Sequence, residues 1–211
     1  SIRMKAADQL VDVWKEKAIK PVQALLENAS TSELAKVQAL WILHRLDSLS
    51  DELHQQALRD TSLTVRIHAI RILGEQKQLN DVYQSVVIQS LTDDSPFIQR
   101  VAAEVVTKFP KFEHIEPLLQ LYQTTPQEDT HLKYTALLAI RYQLREERVL
   151  YKALAQKWSP EALAIVAHAS LDIPSPTAAQ LVFQQLQQQA IEESKLPAYY
   201  TFLGRQLSPA Y

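Results

Sequence analysis

The sequence predicts an all-α fold: a right-handed superhelix of about six antiparallel helix pairs plus a final helix, with no sheet. Three observations carry this. Glycine occurs twice in 211 residues, where an average protein carries roughly 7 %, and sheets of tight hairpins depend on glycine turns. Alanine sits at the centre of similar apolar segments at 39, 69, 102, 136 and 167, with spacings of 30, 33, 34 and 31, and a further alanine lies 33 residues earlier at position 6. No segment alternates convincingly between apolar and polar residues with period two.

The elements follow in order. Ile2 to Trp14 is an amphipathic stretch around Ala6, followed by a second helix over about 18–29. Leu34 to Leu43 surrounds Ala39 and pairs with 50–59. Val65 to Leu73 surrounds Ala69, is closed by Gly74 as a C-terminal cap, and pairs with 79–92. Ser95-Pro96 reads as an N-cap with proline at the first helical position, opening Ile98 to Val106 around Ala102. Pro110 stops the helix that reaches Phe109. In 112–124, Ile115, Leu118, Leu119 and Tyr122 share one helical face, and Pro117 either kinks that helix or delays its start. Leu132 to Ile140 surrounds Ala136 and pairs with 147–157. Ser159-Pro160 opens Leu163 to Ala169 around Ala167, Ser175-Pro176 opens 176–193, and Pro197 to Leu207 is the last helix.

This is the logic of a solenoid. One pair of short helices cannot bury its own apolar face, whereas stacked pairs share a continuous core. The recurring residue is small because neighbouring helices, roughly 8–10 Å apart, approach most closely there. Residues 1–211 read as a single such domain. The chain lacks an initiator methionine and starts inside an amphipathic pattern, so it reads as a piece of something longer.

Composition excludes several classes of chemistry. The absence of cysteine removes disulfides, thiolate zinc sites and thiol nucleophiles. Scarce glycine removes dinucleotide and Walker loops and the seryl nucleophile elbow. Formal net charge is −2, and residues 1–105 carry 12 Lys/Arg against 14 Asp/Glu while residues 106–211 carry 10 of each. No basic stripe for nucleic acid is present. No run of 18 apolar residues spans a membrane.

The polar residues with chemical potential have ordinary readings. The histidines His44, His54, His68, His114, His131 and His168 contain no i, i+4 pair and no H-E-x-x-H, so no metal site is expected. Of the acidic pairs Asp51-Glu52, Asp93-Asp94, Glu128-Asp129, Glu146-Glu147 and Glu192-Glu193, four sit at helix starts or inter-helix turns, where negative charge complements the helix dipole. Trp14, Trp41 and Trp158 belong to apolar faces or their ends. No catalytic residue and no cofactor is expected.

The unit Leu58-Arg59-Asp60-Thr61-Ser62-Leu63-Thr64-Val65-Arg66-Ile67-His68-Ala69 resembles a HEAT repeat. In that family the aspartate and arginine form a ladder between adjacent repeats, and the resemblance places them at Asp60 and Arg66. The next unit, Leu91 to Pro96, is less regular; Arg100 lies six residues after Asp94 but one place out of register with the alanine. The resemblance covers roughly 30–190. Within it, Val37 to Leu46, with its A-L-W-x-L-H stretch, and the segments 57–60 and 65–73 are similar to the HEAT region of large exported bacterial proteins of the "membrane-bound dehydrogenase" type. Those proteins join a β-propeller, a HEAT region and a c-type cytochrome domain. That resemblance implies a spacer in an exported, periplasmic protein.

In HEAT folds the second helices line the concave face. Its solvent-side positions here include Gln56, Arg59, Gln84, Gln89, Gln120, Gln123, Lys152 and Gln156, a polar and nearly neutral surface. Glutamine also crowds the helix after Pro176, at 180, 184, 185 and 187–189. The expected function is a non-catalytic module that binds a protein or a neighbouring domain. The alternative is an enzyme of HEAT-like fold, such as a DNA glycosylase or a phycobilin-lyase-like protein.

Overall fold

The computed structural model of the chain describes residues 2–188 and 191–207, with side chains from Lys5 onward. These residues form thirteen α-helices and no strand. The helices are α1 (Ile2–Gln9), α2 (Glu16–Glu27), α3 (Glu33–Arg45), α4 (Asp51–Leu58), α5 (Leu63–Leu73), α6 (Asp81–Ser90) and α7 (Pro96–Val106). They continue with α8 (Ile115–Thr124), α9 (Thr130–Leu144), α10 (Glu147–Ala155), α11 (Pro160–Ser170), α12 (Pro176–Gln188) and α13 (Leu196–Gln206). Contacts gather the chain into two compact units, residues 1–83 and 84–211.

In the first unit α3 packs against α2 on one side and α5 on the other, and α2 also touches α4. In the second, α7 packs on α9 and α9 on α11, while α10 packs on α12 and α12 on α13. Within each unit, then, first helices stack on first helices and second helices on second, as the repeat spacing predicts. Ala39, Ala69, Ala102, Ala136 and Ala167 are all wholly buried. Around them stand Leu40, Leu43, Ile72 and Leu73 in the first unit, and Ile98, Leu119, Ile140 and Val166 in the second.

Ala6 departs from that register and is exposed. The inward face of this first stretch is Ala7, Leu10 and Val11, which pack on the core of the first unit. After Gln9 the helix widens into a π-helical turn, Leu10–Trp14, that buries no residue. It ends at Lys15, whose φ of 48° lies in the left-handed region that a lysine rarely adopts. Lys15 donates its N–H back to the Leu10 carbonyl at 2.9 Å and breaks the chain away from α1. Val13 and Trp14 are left facing solvent, 67 % and 55 % exposed, so Trp14 is no core residue.

The seams use the expected chemistry. The hydroxyls of Ser50, Ser62 and Ser159 and the carboxylate of Asp129 accept first-turn N–H groups of α4, α5, α11 and α9. Ser175 accepts from the Thr177 N–H at 3.2 Å. Ser95 works differently: its own N–H donates to Asp93 at 2.8 Å and its hydroxyl caps nothing. Gly74 ends α5 in a right-handed conformation, φ −70°, so the cap makes no use of glycine's freedom. Pro117 delays its helix rather than kinking it. A 3-10 turn, Phe112–His114, precedes α8, which starts two residues before the proline, in the first turn where a missing N–H costs nothing.

Candidate functional site

The second helices of the first unit carry a polar groove. Ala18, Val22 and Leu26 of α2 recur every fourth residue and turn inward, as do Leu53, His54 and Ala57 of α4. That leaves Glu52 and Gln56, with Arg59 just past the end of α4, facing outward. Together with Glu27, Lys36 and Asp60 they line an open groove of about 630 Å³. The side chains of Gln56 and Arg59 make no hydrogen bond or ion pair among the described residues. They offer the groove an amide and a guanidinium that a partner can engage.

Its floor is tied by charge. Lys36 of α3 donates to the Asp60 carboxylate at 2.7 Å, and both side chains are largely covered. Burial works to raise the Asp60 pKa, but the Lys36 and Ser62 N–H donors and the Lys36 and Arg66 charges outweigh it and hold the carboxyl below its ordinary value. Arg66 meets Asp60 through the main chain: its Nη1 donates to the Asp60 carbonyl at 2.9 Å and to the Thr61 carbonyl at 3.3 Å. The same arrangement recurs 33 residues on. Ser62 and Ser95 each donate their N–H to the aspartate two residues back, Asp60 and Asp93, at 2.8 Å. Gln99 donates to the Asp93 carbonyl at 2.8 Å, as Arg66 does to that of Asp60. The counterparts of Asp60 and Arg66 are therefore Asp93 and Gln99, not Asp94 and Arg100. Arg100 instead lies 5.3 Å over the Phe97 ring.

The remaining residues of the expected polar face belong to the second unit. Gln84 is half-buried and its amide oxygen accepts from the Lys111 ammonium. Gln89 on α6, Gln120 and Gln123 on α8, and Gln156 just past α10 are exposed. Lys152 on α10 reaches Glu113 at 3.4 Å and lies 5.7 Å over Phe112. The glutamines of α12 are not uniformly solvated. Gln185 is buried and accepts from the Tyr199 hydroxyl at 3.3 Å because α13 covers it, Gln187 and Gln188 are exposed, and Gln189 lies outside the described residues.

Several polar groups do structural work that their sequence context hides. Gln143 is wholly buried; its Oε1 accepts from the Lys111 N–H and its Nε2 donates to the Val106 carbonyl, both at 2.8 Å. His54 is buried, with Nε2 2.8 Å from the Ala69 carbonyl. His114 is buried with neither ring nitrogen in a hydrogen bond. Burial lowers the pKa of both. Trp41 donates its indole N–H to His68 Nδ1 at 3.0 Å, which ties α3 to α5. Trp158 donates to the Ala153 carbonyl at 2.7 Å. Among the described residues no group of three His, Asp or Glu side chains stands close enough to hold a metal ion, and no helix is long and apolar enough to cross a membrane.

One feature of the second unit carried no sequence signal. Arg141 of α9, His168 of α11 and Thr201 and Arg205 of α13 line a cleft of about 730 Å³. His168 lies 27 residues after Arg141, and Thr201 and Arg205 lie 33 and 37 residues after His168, in helices whose spacing follows no shared motif. No protein-family model matches the chain, and no curated protein matches it.

Proposed function

We propose that the chain is a non-catalytic interaction module that holds a partner protein or a neighbouring domain on the polar surface of its second helices. The observation that carries this is the groove between α2 and α4, where Gln56 and Arg59 stand exposed and unengaged beside a fixed Lys36–Asp60 pair. Amide and guanidinium groups of this kind suit the hydrogen-bonding groups of an extended chain or a polar loop, and a groove of mixed charge favours neither nucleic acid nor a lipid surface. In this reading the repeats are HEAT-like, with Asp60 and Arg66 joining loop to helix at the repeat seam. The resemblance to the HEAT region of exported dehydrogenase-type proteins makes a neighbouring domain of the same chain the favoured partner, outside the cytoplasm.

The test places a photo-activatable benzophenone at Gln56 and, as a control, at exposed Glu104. The reading expects one polypeptide, a partner protein or the neighbouring domain supplied as a separate chain, to be captured at Gln56 and not at Glu104. That polypeptide, purified, should then bind the wild-type chain and bind at least about fivefold more weakly to Gln56→Ala with Arg59→Ala. Equal capture at both positions, or binding indifferent to the double substitution, would overturn it.

A further inference from the structure

We propose that the cleft between α11 and α13 binds the carboxylate of an acidic protein segment, with Arg205 as the group that pairs it. The proposal deepens the interaction reading and rests on it in taking a protein segment as the ligand. It concerns a second surface, confined to the unit of residues 84–211.

The charge balance of the cleft points to a single anion. Arg141 is already satisfied: its Nε donates to the Ala169 carbonyl at 3.2 Å and its Nη1 meets Asp172 at 2.7 Å. Those two charges cancel. His168, at the same cleft, is kept toward its neutral form by desolvation and by the charges of Arg141 and Lys195. Arg205 remains. It is exposed, lines the cleft, and makes no hydrogen bond or ion pair among the described residues. One uncompensated guanidinium matches one carboxylate, whose two oxygens fit the two parallel donors of the arginine fork. A phosphate dianion in the same place would leave a negative charge unmatched.

The surroundings fit a peptide rather than a free ion. Thr201 lies one helical turn before Arg205, so its hydroxyl is on the same face of α13. Leu171, Pro197 and Phe202 line the same cleft and supply an apolar wall. A segment with an acidic residue next to an apolar one would place its carboxylate on Arg205 and its apolar side chain on that wall.

The probes are acetyl-Leu-Glu-Phe-amide and its neutral isostere acetyl-Leu-Gln-Phe-amide, titrated into the full 211-residue chain. The readouts are the Arg205 side-chain N–H and Thr201 amide signals in nitrogen-15 NMR. The Glu peptide is expected to shift both signals saturably and to bind at least about threefold more tightly than the Gln peptide. That preference should vanish in Arg205→Gln and survive in part in Arg205→Lys. Equal binding of the two peptides, no binding of either, or an unchanged preference in Arg205→Gln would overturn the proposal. Stronger discrimination in favour of acetyl-Leu-phosphoserine-Phe-amide would overturn the assignment to a carboxylate. Because these signals report only on α13, the outcome is independent of capture at Gln56, and either reading can fail alone.

Discussion

The side-chain amide of Gln143 donates to the carbonyl of Val106 at 2.8 Å across 37 residues of sequence, while its oxygen accepts the N–H of Lys111. One side chain from the end of α9 thus secures both sides of the turn that leaves α7. Gln143→Leu keeps the volume roughly but leaves the Lys111 N–H without its acceptor and the buried Val106 carbonyl with the Phe109 N–H alone, at 3.1 Å. Losing two hydrogen bonds, one of them to a carbonyl that keeps a partner, costs about 1–3 kcal/mol in all, the loss expected in urea unfolding. Hydrogen exchange at the Lys111 amide should quicken well beyond the global change. A Gln143→Leu chain as stable as wild type would show that the turn is held otherwise.

Lys36 and Asp60 form an ion pair whose side chains are only 15 % and 13 % exposed. Removing the lysine leaves a largely covered carboxylate short of its main donor, so Lys36→Met should cost about 1–2 kcal/mol, more than an exposed pair yields. Asp60 titrates below its ordinary value in the folded chain. Its contribution is therefore complete above the unfolded carboxylate range and is lost as pH falls below it. The stability difference between wild type and Lys36→Met should shrink in acid. A difference that stays constant down to pH 3 would contradict the assignment.

Ala69 is wholly buried between stacked helices, and Ala6 is exposed on α1. Ala69→Leu adds three carbons where α3 and α5 touch, and overpacking of this kind costs roughly 1–3 kcal/mol. Ala6→Leu extends into the open apolar groove that Ala6 lines with Leu25 and Leu34, where there is room for it, and should stay within about 0.5 kcal/mol of wild type. Thermal melting of the two variants checks the contrast, and equal losses would place the repeat register elsewhere.

The repeat was legible in the sequence because five alanines at near-constant spacing mark positions where only a small side chain fits, and all five are buried. Ala6 satisfied the same spacing for a different reason. The π-helical turn after Gln9 lets Ala7, Leu10 and Val11 do the packing, and no residue pattern distinguishes an α turn from a wider one. At the second repeat, residue type misled where spacing was correct: Asp94 and Arg100 look like the pair at 60 and 66, yet the backbone repeats at 33, and a glutamine makes the arginine's hydrogen bond. Leu203, on the last helix, is buried, and that helix packs on α12. The outward facing of Gln56 and Arg59 followed from helical periodicity; the groove they line did not. The Arg205 cleft did not, because it joins three helices through tertiary contacts that no local pattern encodes.

Buried histidines should make the fold acid-sensitive near pH 6. His54 and His114 are 2 % and 3 % exposed, and desolvation is the leading cause that lowers the pKa of each. For His54 the nearby His44 adds to the lowering, against the Ala69 carbonyl and Asp51; for His114 Lys111 adds to it, against Gln143, the Phe109 carbonyl and Glu113. A histidine whose folded pKa lies below its unfolded value takes up its proton on unfolding. Its neutral form supports the fold fully above the unfolded pKa near 6.5, and that support is lost as pH falls through it. The slope reaches about 1.4 kcal/mol per pH unit for each such group. Unfolding free energy should therefore drop between pH 7.5 and pH 5. His114→Leu should flatten that drop, since it removes a buried ring that takes up its proton on unfolding. His68 supplies a local readout of the same kind. It accepts the Trp41 indole N–H at Nδ1 only while that nitrogen is unprotonated, and burial and then the Arg71 charge lower its pKa, so Trp41 emission should change as pH falls below the ordinary histidine value and cease to do so in His68→Gln. A pH profile identical in wild type and His114→Leu, with constant Trp41 emission, would mean that neither ring titrates against the fold.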